Sequence, residues 1–168
     1  MLPAIRLISE AADLAARRHN GMARKGRGNE PYINHLAEVA NLLAIATDGA
    51  DAELVAAGWL HDTMEDTDTT REELSARFSD RVALLVIECT DDMSLPKAER
   101  RRLQVVDAPK KSADAKLIKI ADKIKALADS FGLAFRNIDN RVYEISLGSG
   151  KEVIGIHAHA DVVPVNPD

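Results

Sequence analysis

Ala52-Glu53-Leu54-Val55-Ala56-Ala57-Gly58-Trp59-Leu60-His61-Asp62 is the stretch whose reading decides the fold. Ala52 to Leu60 is nearly all apolar, as a helix buried on most of its sides requires, and it ends in a His-Asp pair. Helical periodicity extends from it in both directions. Upstream, Leu36, Val39, Ala40 and Leu43 recur at the spacing of one helical face. Ile5, Ile8, Ala12 and Ala15 do the same, with Asp13, Arg17 and Arg18 opposite. Between them, residues 20–31 hold three glycines and almost no apolar side chain, which predicts a loop. Downstream, Thr69 with Glu72 and Thr70 with Glu73 each fit a capping box. If the helix runs on past His61, then Glu65 and Asp66 fall four residues after His61 and Asp62, placing all four on one helical edge.

Further along, a helix from about Ser79 turns Val82, Leu85, Val86 and Cys89 inward. Pro96 suits the first turn of a short basic helix. Ser112 caps a segment with Leu117, Ile118, Ala121, Ile124 and Ala128 on one face. From Asn137 the character changes: Val142, Tyr143 and Ile145, then Val153, Ile154 and Ile156, flank Gly148-Ser149-Gly150, which predicts a β-hairpin turning there. A lone hairpin is marginal in water, so it must pack on something or fray. The expected fold is mainly all-α, a helical bundle over 1–130 followed by a β-rich tail over 131–168 that is not a complete domain.

Composition sets bounds on this reading. A chain of 168 residues suits one domain, burying roughly 70% of the surface its unfolded form exposes. With 46% hydrophobic and 29% charged residues it is not a disordered polymer. The single cysteine, Cys89, excludes a disulfide framework and a cysteine-based zinc cluster. A net charge of −5 argues against general affinity for nucleic acid or an anionic membrane surface. Val82 to Ile87, the longest apolar run, is far short of a membrane span. Arg6, Glu10 and Asp13 break up any signal-peptide pattern. A soluble, cytoplasmic protein is expected.

Four side chains stand out as metal ligands: His35, His61, Asp62 and Asp122. Asp122 lies inside the apolar pattern of its helix, and a buried carboxylate needs a compensating cation or several donors. Two imidazoles and two carboxylates suit Mn²⁺, Fe²⁺ or Zn²⁺. The spacing alone is not diagnostic, because a His-Asp dipeptide is common and His35 could simply open a helix. Glu65 and Asp66 would supply the carboxylates that metal-assisted hydrolysis needs; their alternative is a solvated acidic loop with Asp68. Arg17, Arg18, Arg24, Lys25 and Arg27 form one basic group, and Lys97, Arg100, Arg101 and Arg102 a second. They suit a polyanionic small molecule, or else are two solvated helix faces.

Together, Arg24-Lys25, Pro31-Tyr32-Ile33-Asn34-His35, Leu60-His61-Asp62-Thr63 and Glu65-Asp66-Thr67 resemble the HD-domain hydrolases of the RelA/SpoT type. So do Thr90-Asp91-Asp92, Leu95-Pro96-Lys97, Glu99-Arg100 and Lys119-Ile120-Ala121-Asp122-Lys123. The similarity covers about residues 5–125 and is strongest to the small stand-alone SpoT homologues. It implies an all-helical HD fold that binds one Mn²⁺, with Fe²⁺ or Zn²⁺ as alternatives. The implied reaction removes the 3′-pyrophosphate of guanosine tetra- or pentaphosphate, (p)ppGpp, leaving GDP or GTP. Other readings are an NADPH 2′-phosphatase, another nucleotide phosphohydrolase, an inactive nucleotide-binding HD module or a non-functional hybrid. By the resemblance His35, His61, Asp62 and Asp122 hold the metal, Glu65 and Asp66 position or activate the attacking water, and Arg24, Lys25 and Lys97 surround the nucleotide. The implied partner is a small nucleotide polyphosphate, with oligomeric state left open.

This chain departs from that pattern where Gly26 follows Lys25, where Leu36 follows the histidine, and at Ala126 and Ala128, which stand where relatives carry Asn and Arg. From about residue 125 the sequence instead resembles the start of a dinuclear-zinc dipeptidase of the PepV and carnosinase type, through Gly150-Lys151-Glu152-Val153 and His157-Ala158-His159-Ala160-Asp161-Val162-Val163-Pro164. That resemblance makes His159 a zinc ligand and Asp161 its orienting carboxylate. The remaining ligands of such a site have no counterpart in this chain, so a complete dipeptidase is not expected.

Overall fold

The computed structural model describes residues 2–24, 29–130, 134–138 and 142–146, with side chains as far as Lys123. Eight α-helices precede a short hairpin: α1 (Ala4–Arg18), α2 (Ile33–Ala46), α3 (Ala52–Leu60), α4 (Thr63–Asp66), α5 (Arg71–Arg77), α6 (Asp80–Cys89), α7 (Lys97–Asp107) and α8 (Ala113–Ser130). A 3₁₀ turn at Ala108–Lys110 links α7 to α8.

α3 is the axis of the bundle. Asp51 caps it by accepting from the Leu54 N–H at 3.0 Å, and Leu54 to Gly58 and Leu60 are all buried. α1, α2 and α6 pack around it, and α8 closes against α2, α3 and α6. Gly58 is where α2 comes closest. A Cβ there would collide with Leu43 Cδ1 and lie 3.3 Å from Ala40 Cα, so hydrogen is the side chain that this crossing admits.

Several helix starts follow the capping rules. Ser79 and Ser112 accept from the N–H groups of Val82 and Ala115. Of the two overlapping boxes only Thr70 caps α5, accepting from Glu73 N at 3.2 Å. Thr69 is buried instead, its hydroxyl 2.9 Å from that of Thr67. Pro96 stands at the N-cap of α7 rather than within its first turn.

The inner faces of α2 and α6 are those expected, whereas that of α1 is rotated. Leu7, Ala11, Leu14 and Ala15 are buried while Ile5 is 83% exposed. Leu7, Ala11 and Leu14 obey the same period as the expected set, and period alone does not choose between adjacent stripes. On α8, Ala115, Ile118 and Ala121 face the core and Leu117 is exposed; Ile124 and Ala128 lie outside the described side chains. Cys89, 1% exposed, sits on α6 with Sγ 4.0 Å from the Ala115 carbonyl of α8.

Ion pairs tie the helices together at the rim. Arg81 of α6 donates to Asp51 at 2.6 and 2.8 Å, to Glu53 at 3.2 Å and to Asp114 at 2.8 Å, joining α3, α6 and α8. Arg18 pairs with Asp68 and with Glu73. Arg17 is matched to Asp13 and Arg102 to Glu99. Three arginines of the two basic groups, Arg17, Arg18 and Arg102, are therefore occupied within the protein.

A hairpin is present among the described residues, directly before the glycine cluster. β1 (Ala134–Ile138) pairs antiparallel with β2 (Val142–Ser146), Arg136 opposite Glu144, so the connection runs through residues 139–141. One edge of strand 142–146 is thus taken by Ala134–Ile138, a partner that the alternation of the sequence did not single out. Gly148-Ser149-Gly150, the run at 153–156, His159 and Asp161 lie outside the described residues. Among the described residues no helix is long and apolar enough to cross a membrane.

Candidate metal centre

The site forms where α3 stops. α3 does not continue through His61 and Asp62; the chain turns there and α4 restarts at Thr63. Two side chains take over carbonyls at the last turn of α3. His61 Nδ1 bonds to the Gly58 carbonyl at 2.8 Å, and Thr63 Oγ1 donates to the Leu60 carbonyl at 2.6 Å. Local side-chain donors of this kind compete with the helical ladder. The Asp62 carbonyl then accepts from the N–H groups of Glu65 and Asp66 at 3.1 and 2.9 Å.

The expected single helical edge is thereby replaced by two directions. Glu65 Oε2 accepts from the Asp91 N–H beyond α6, at 3.2 Å. Asp66 lies toward Tyr32 and His19.

His61 is fully buried, and its bond to a carbonyl places the proton on Nδ1. That leaves the Nε2 lone pair pointing inward. Nε2 lies 3.1 Å from Asp62 Oδ2 but off the line of a hydrogen bond, so it has no hydrogen-bond partner among the described residues. His35, buried on α2, places Nε2 3.7 Å from the same Asp62 oxygen and 3.3 Å from Asp122 Oδ1 on α8. One ligand atom each from His35, His61 and Asp62 lie within 4.8 Å of one another. A buried imidazole lone pair without a donor, facing two carboxylates, fits a divalent cation and wastes a hydrogen-bonding group otherwise. The carbonyl-bound Nδ1 is the usual support for a metal-binding histidine.

The carboxylates divide into two classes. Burial pushes the Asp62 carboxyl up, but His61, the Tyr32 hydroxyl and His35 outweigh it and hold it well below the ordinary range. Burial likewise works against ionisation of Asp122, yet His35, His61 and Lys123 bring it down to about 2; Lys123 Nζ is 3.0 Å from its Oδ2. Glu65 and Asp66 shift the other way. Burial raises both, and the charge of Asp62 adds to it. Two carboxylates held ionised beside two made more basic is the separation that acid-base assignments require. Burial pulls the His61 imidazole down, but Asp62 and Asp122 raise it overall, so a proton and a cation compete for Nε2.

The presumed phosphate ligands are less gathered. Arg24 Nη1 lies 4.0 Å from Glu38 Oε2. Lys97 is exposed at the first position of α7. Lys25 lies outside the described residues. Sequence reasoning passed over Tyr32, whose hydroxyl donates to Asp62 Oδ2 at 2.7 Å, and His19, buried and stacked on that ring. Tyr32 carries one usable signal, since it stands three residues before His35 and so shares its side of the helix start. His19 carries none.

An HD domain model matches residues 11–134. The guanosine-3′,5′-bis(diphosphate) 3′-pyrophosphohydrolase MESH1 of Homo sapiens is 50% identical over 122 residues, spanning 73% of this chain and 68% of that protein. Its namesake in Drosophila melanogaster is 42% identical over 120 residues, 71% of this chain and 67% of the relative. Among solved structures, a metazoan ortholog of SpoT, described as hydrolysing ppGpp and acting in starvation responses, superposes with a TM-score of 0.71. That match has 40% identity and covers 77% of this chain and 72% of the other. The buried histidines and aspartates thus belong to a helical bundle shared along most of its length with those proteins, and the chain is a member of the HD domain family.

Proposed function

We propose that this protein is a metal-dependent nucleotide pyrophosphohydrolase that removes the 3′-pyrophosphate of (p)ppGpp to give GDP or GTP. The observation that carries the reading is the orphaned, buried Nε2 of His61, set beside His35 and Asp62 with Glu65 and Asp66 one turn on. The activity named for the relatives, 50% identical in the human case, supports the substrate. His35, His61, Asp62 and Asp122 would hold one divalent cation, taken as Mn²⁺. When bound, such a cation polarises a phosphoryl oxygen and makes water more acidic.

The protein's own groups do the rest. His61 is held in one tautomer by the Gly58 carbonyl. Asp62 and Asp122 stay ionised at neutral pH. Glu65 and Asp66, made more basic by burial, accept the proton of the attacking water. Arg24, Lys25 and Lys97 are assigned to the nucleotide and its phosphates, as point charges and a guanidinium fork suit them.

The test is pyrophosphate and GDP release from ppGpp by the purified chain, with Mn²⁺ added or chelated. Release that requires the metal and disappears in both His61→Ala and Asp62→Ala is expected. Turnover that survives both substitutions, or no turnover with Mn²⁺ present, overturns the assignment.

A further inference from the structure

We propose that Tyr32 is a positioning residue for the Asp62 carboxylate, and that His19 fixes the ring carrying its hydroxyl. This rests on the reading of His35, His61 and Asp62 as metal ligands, and adds to them an outer layer drawn from the end of α1 and the start of α2. The Tyr32 hydroxyl donates at 2.7 Å to Asp62 Oδ2. That same oxygen lies 3.1 Å from His61 Nε2 and 3.7 Å from His35 Nε2. The phenol therefore grips the carboxylate oxygen on which both imidazoles converge. The terminal torsion of an aspartate is broad, and a donor from a third direction narrows it.

The donor is itself held at three points. Its backbone N–H donates to the Met22 carbonyl at 2.9 Å. The imidazole of His19 stacks on the phenol ring with centroids 5.2 Å apart and planes 12° from parallel. His35 meets the ring edge-on, at 5.6 Å and 74°. His19 is only 2% exposed, and its Nδ1 is 3.0 Å from the Ala15 carbonyl, which sets the plane of the ring. Its Nε2 has no hydrogen-bond partner among the described residues. An apolar side chain would fill this place without burying an unsatisfied nitrogen, so packing alone gives no reason for a histidine. Orientation does: the bond to Ala15 fixes the imidazole plane, the imidazole fixes the phenol, and the phenol fixes Asp62.

Tyr32→Phe keeps the ring and the stack and removes only the donor. Calorimetric titration of the metal-stripped full chain with Mn²⁺ should show affinity reduced by about 10–100-fold, the usual cost of losing an outer-layer partner. The unfolding midpoint without metal should stay near that of the unsubstituted chain. In ppGpp hydrolysis at saturating Mn²⁺, kcat should fall while KM holds. His19→Ala should weaken Mn²⁺ binding in the same direction, and His19→Phe, which keeps a flat ring in the stack, should recover part of the loss. Undiminished Mn²⁺ affinity in Tyr32→Phe overturns the inference and leaves the ligand set standing. So does a Tyr32→Phe chain that no longer unfolds cooperatively, because the hydroxyl is then structural. Unchanged affinity in His19→Ala removes His19 from the assignment. Absence of Mn²⁺ binding by the unsubstituted chain overturns the ligand set and this inference together.

Discussion

His61 uses its two ring nitrogens differently, and the site follows from that division. Nδ1 satisfies a carbonyl that the interrupted helix would otherwise leave open, while the buried Nε2 has no hydrogen-bond partner among the described residues. In the proposed reaction Glu65 and Asp66 would take the proton of the attacking water, and their environments predict how activity depends on pH. A carboxylate acting as base must be ionised, and burial raises both above their ordinary values of 4.5 and 3.8. kcat/KM should therefore climb with pH through an apparent pKa higher than that of a free carboxylate and fall away on the acid side of it. Glu65→Gln and Asp66→Asn should each lower kcat by about 10²–10⁴-fold, with Mn²⁺ affinity retained in calorimetry. A variant that loses metal binding along with turnover would place that residue among the ligands instead. These two acids were visible as residues four positions beyond His61 and Asp62. Their divergence toward Asp91 and toward Tyr32 was not, because it depends on hydrogen bonds that Thr63 and His61 make to carbonyls three residues back.

At the scale of elements, what the sequence revealed best were helices with a wide apolar face and a polar cap. α2, α3 and α6 occupy the expected segments, and Ser79 and Ser112 cap as their type requires. α1 was harder, because two neighbouring stripes obey one period and only the arrangement of its neighbours selects Leu7, Ala11 and Leu14. The strand Val142–Ser146 was legible, but its partner Ala134–Ile138 was not. A glycine cluster is a strong turn signal, and residues 139–141, between the two paired strands, hold no glycine. The crossing of α2 and α3 gives a direct test of packing. Gly58→Ala must displace Leu43 and press on the Ala40 backbone. The expected cost is about 1–3 kcal/mol for such overpacking, read as a lower unfolding midpoint in calorimetry. An unchanged midpoint would mean that the two helices part without penalty. Because the carbonyl of the same residue holds His61, the variant should also bind Mn²⁺ less tightly.

For the whole molecule, the proposed ligands come from three places far apart in the chain: His35 on α2, His61 and Asp62 after α3, and Asp122 on α8. A cation shared among them would act as a cross-link that exists only in the folded state. At a free Mn²⁺ concentration 100 times its Kd, linkage gives about 2.7 kcal/mol of added stability. For a chain of this size that is roughly 5–10 °C in Tm. Chelation should reverse the shift and His61→Ala should abolish it. A midpoint insensitive to Mn²⁺ would show that the three elements are not joined in this way.

Cys89 turns that cross-link into something that can be timed. Burial pushes its thiol up to about 12, and its sulfur faces α8 at Ala115, seven residues before Asp122. A thiol so protonated and enclosed is silent toward disulfide reagents until α6 and α8 separate. The sole sulfhydryl of the protein is thus a built-in clock for the breathing of the proposed metal centre. Where reclosing outruns modification, the labelling rate reports the population of the opened form. Added Mn²⁺ should slow that clock by the factor that its affinity for the closed form dictates. If labelling runs at the same pace with and without the ion, the opening that exposes Cys89 leaves the metal centre intact.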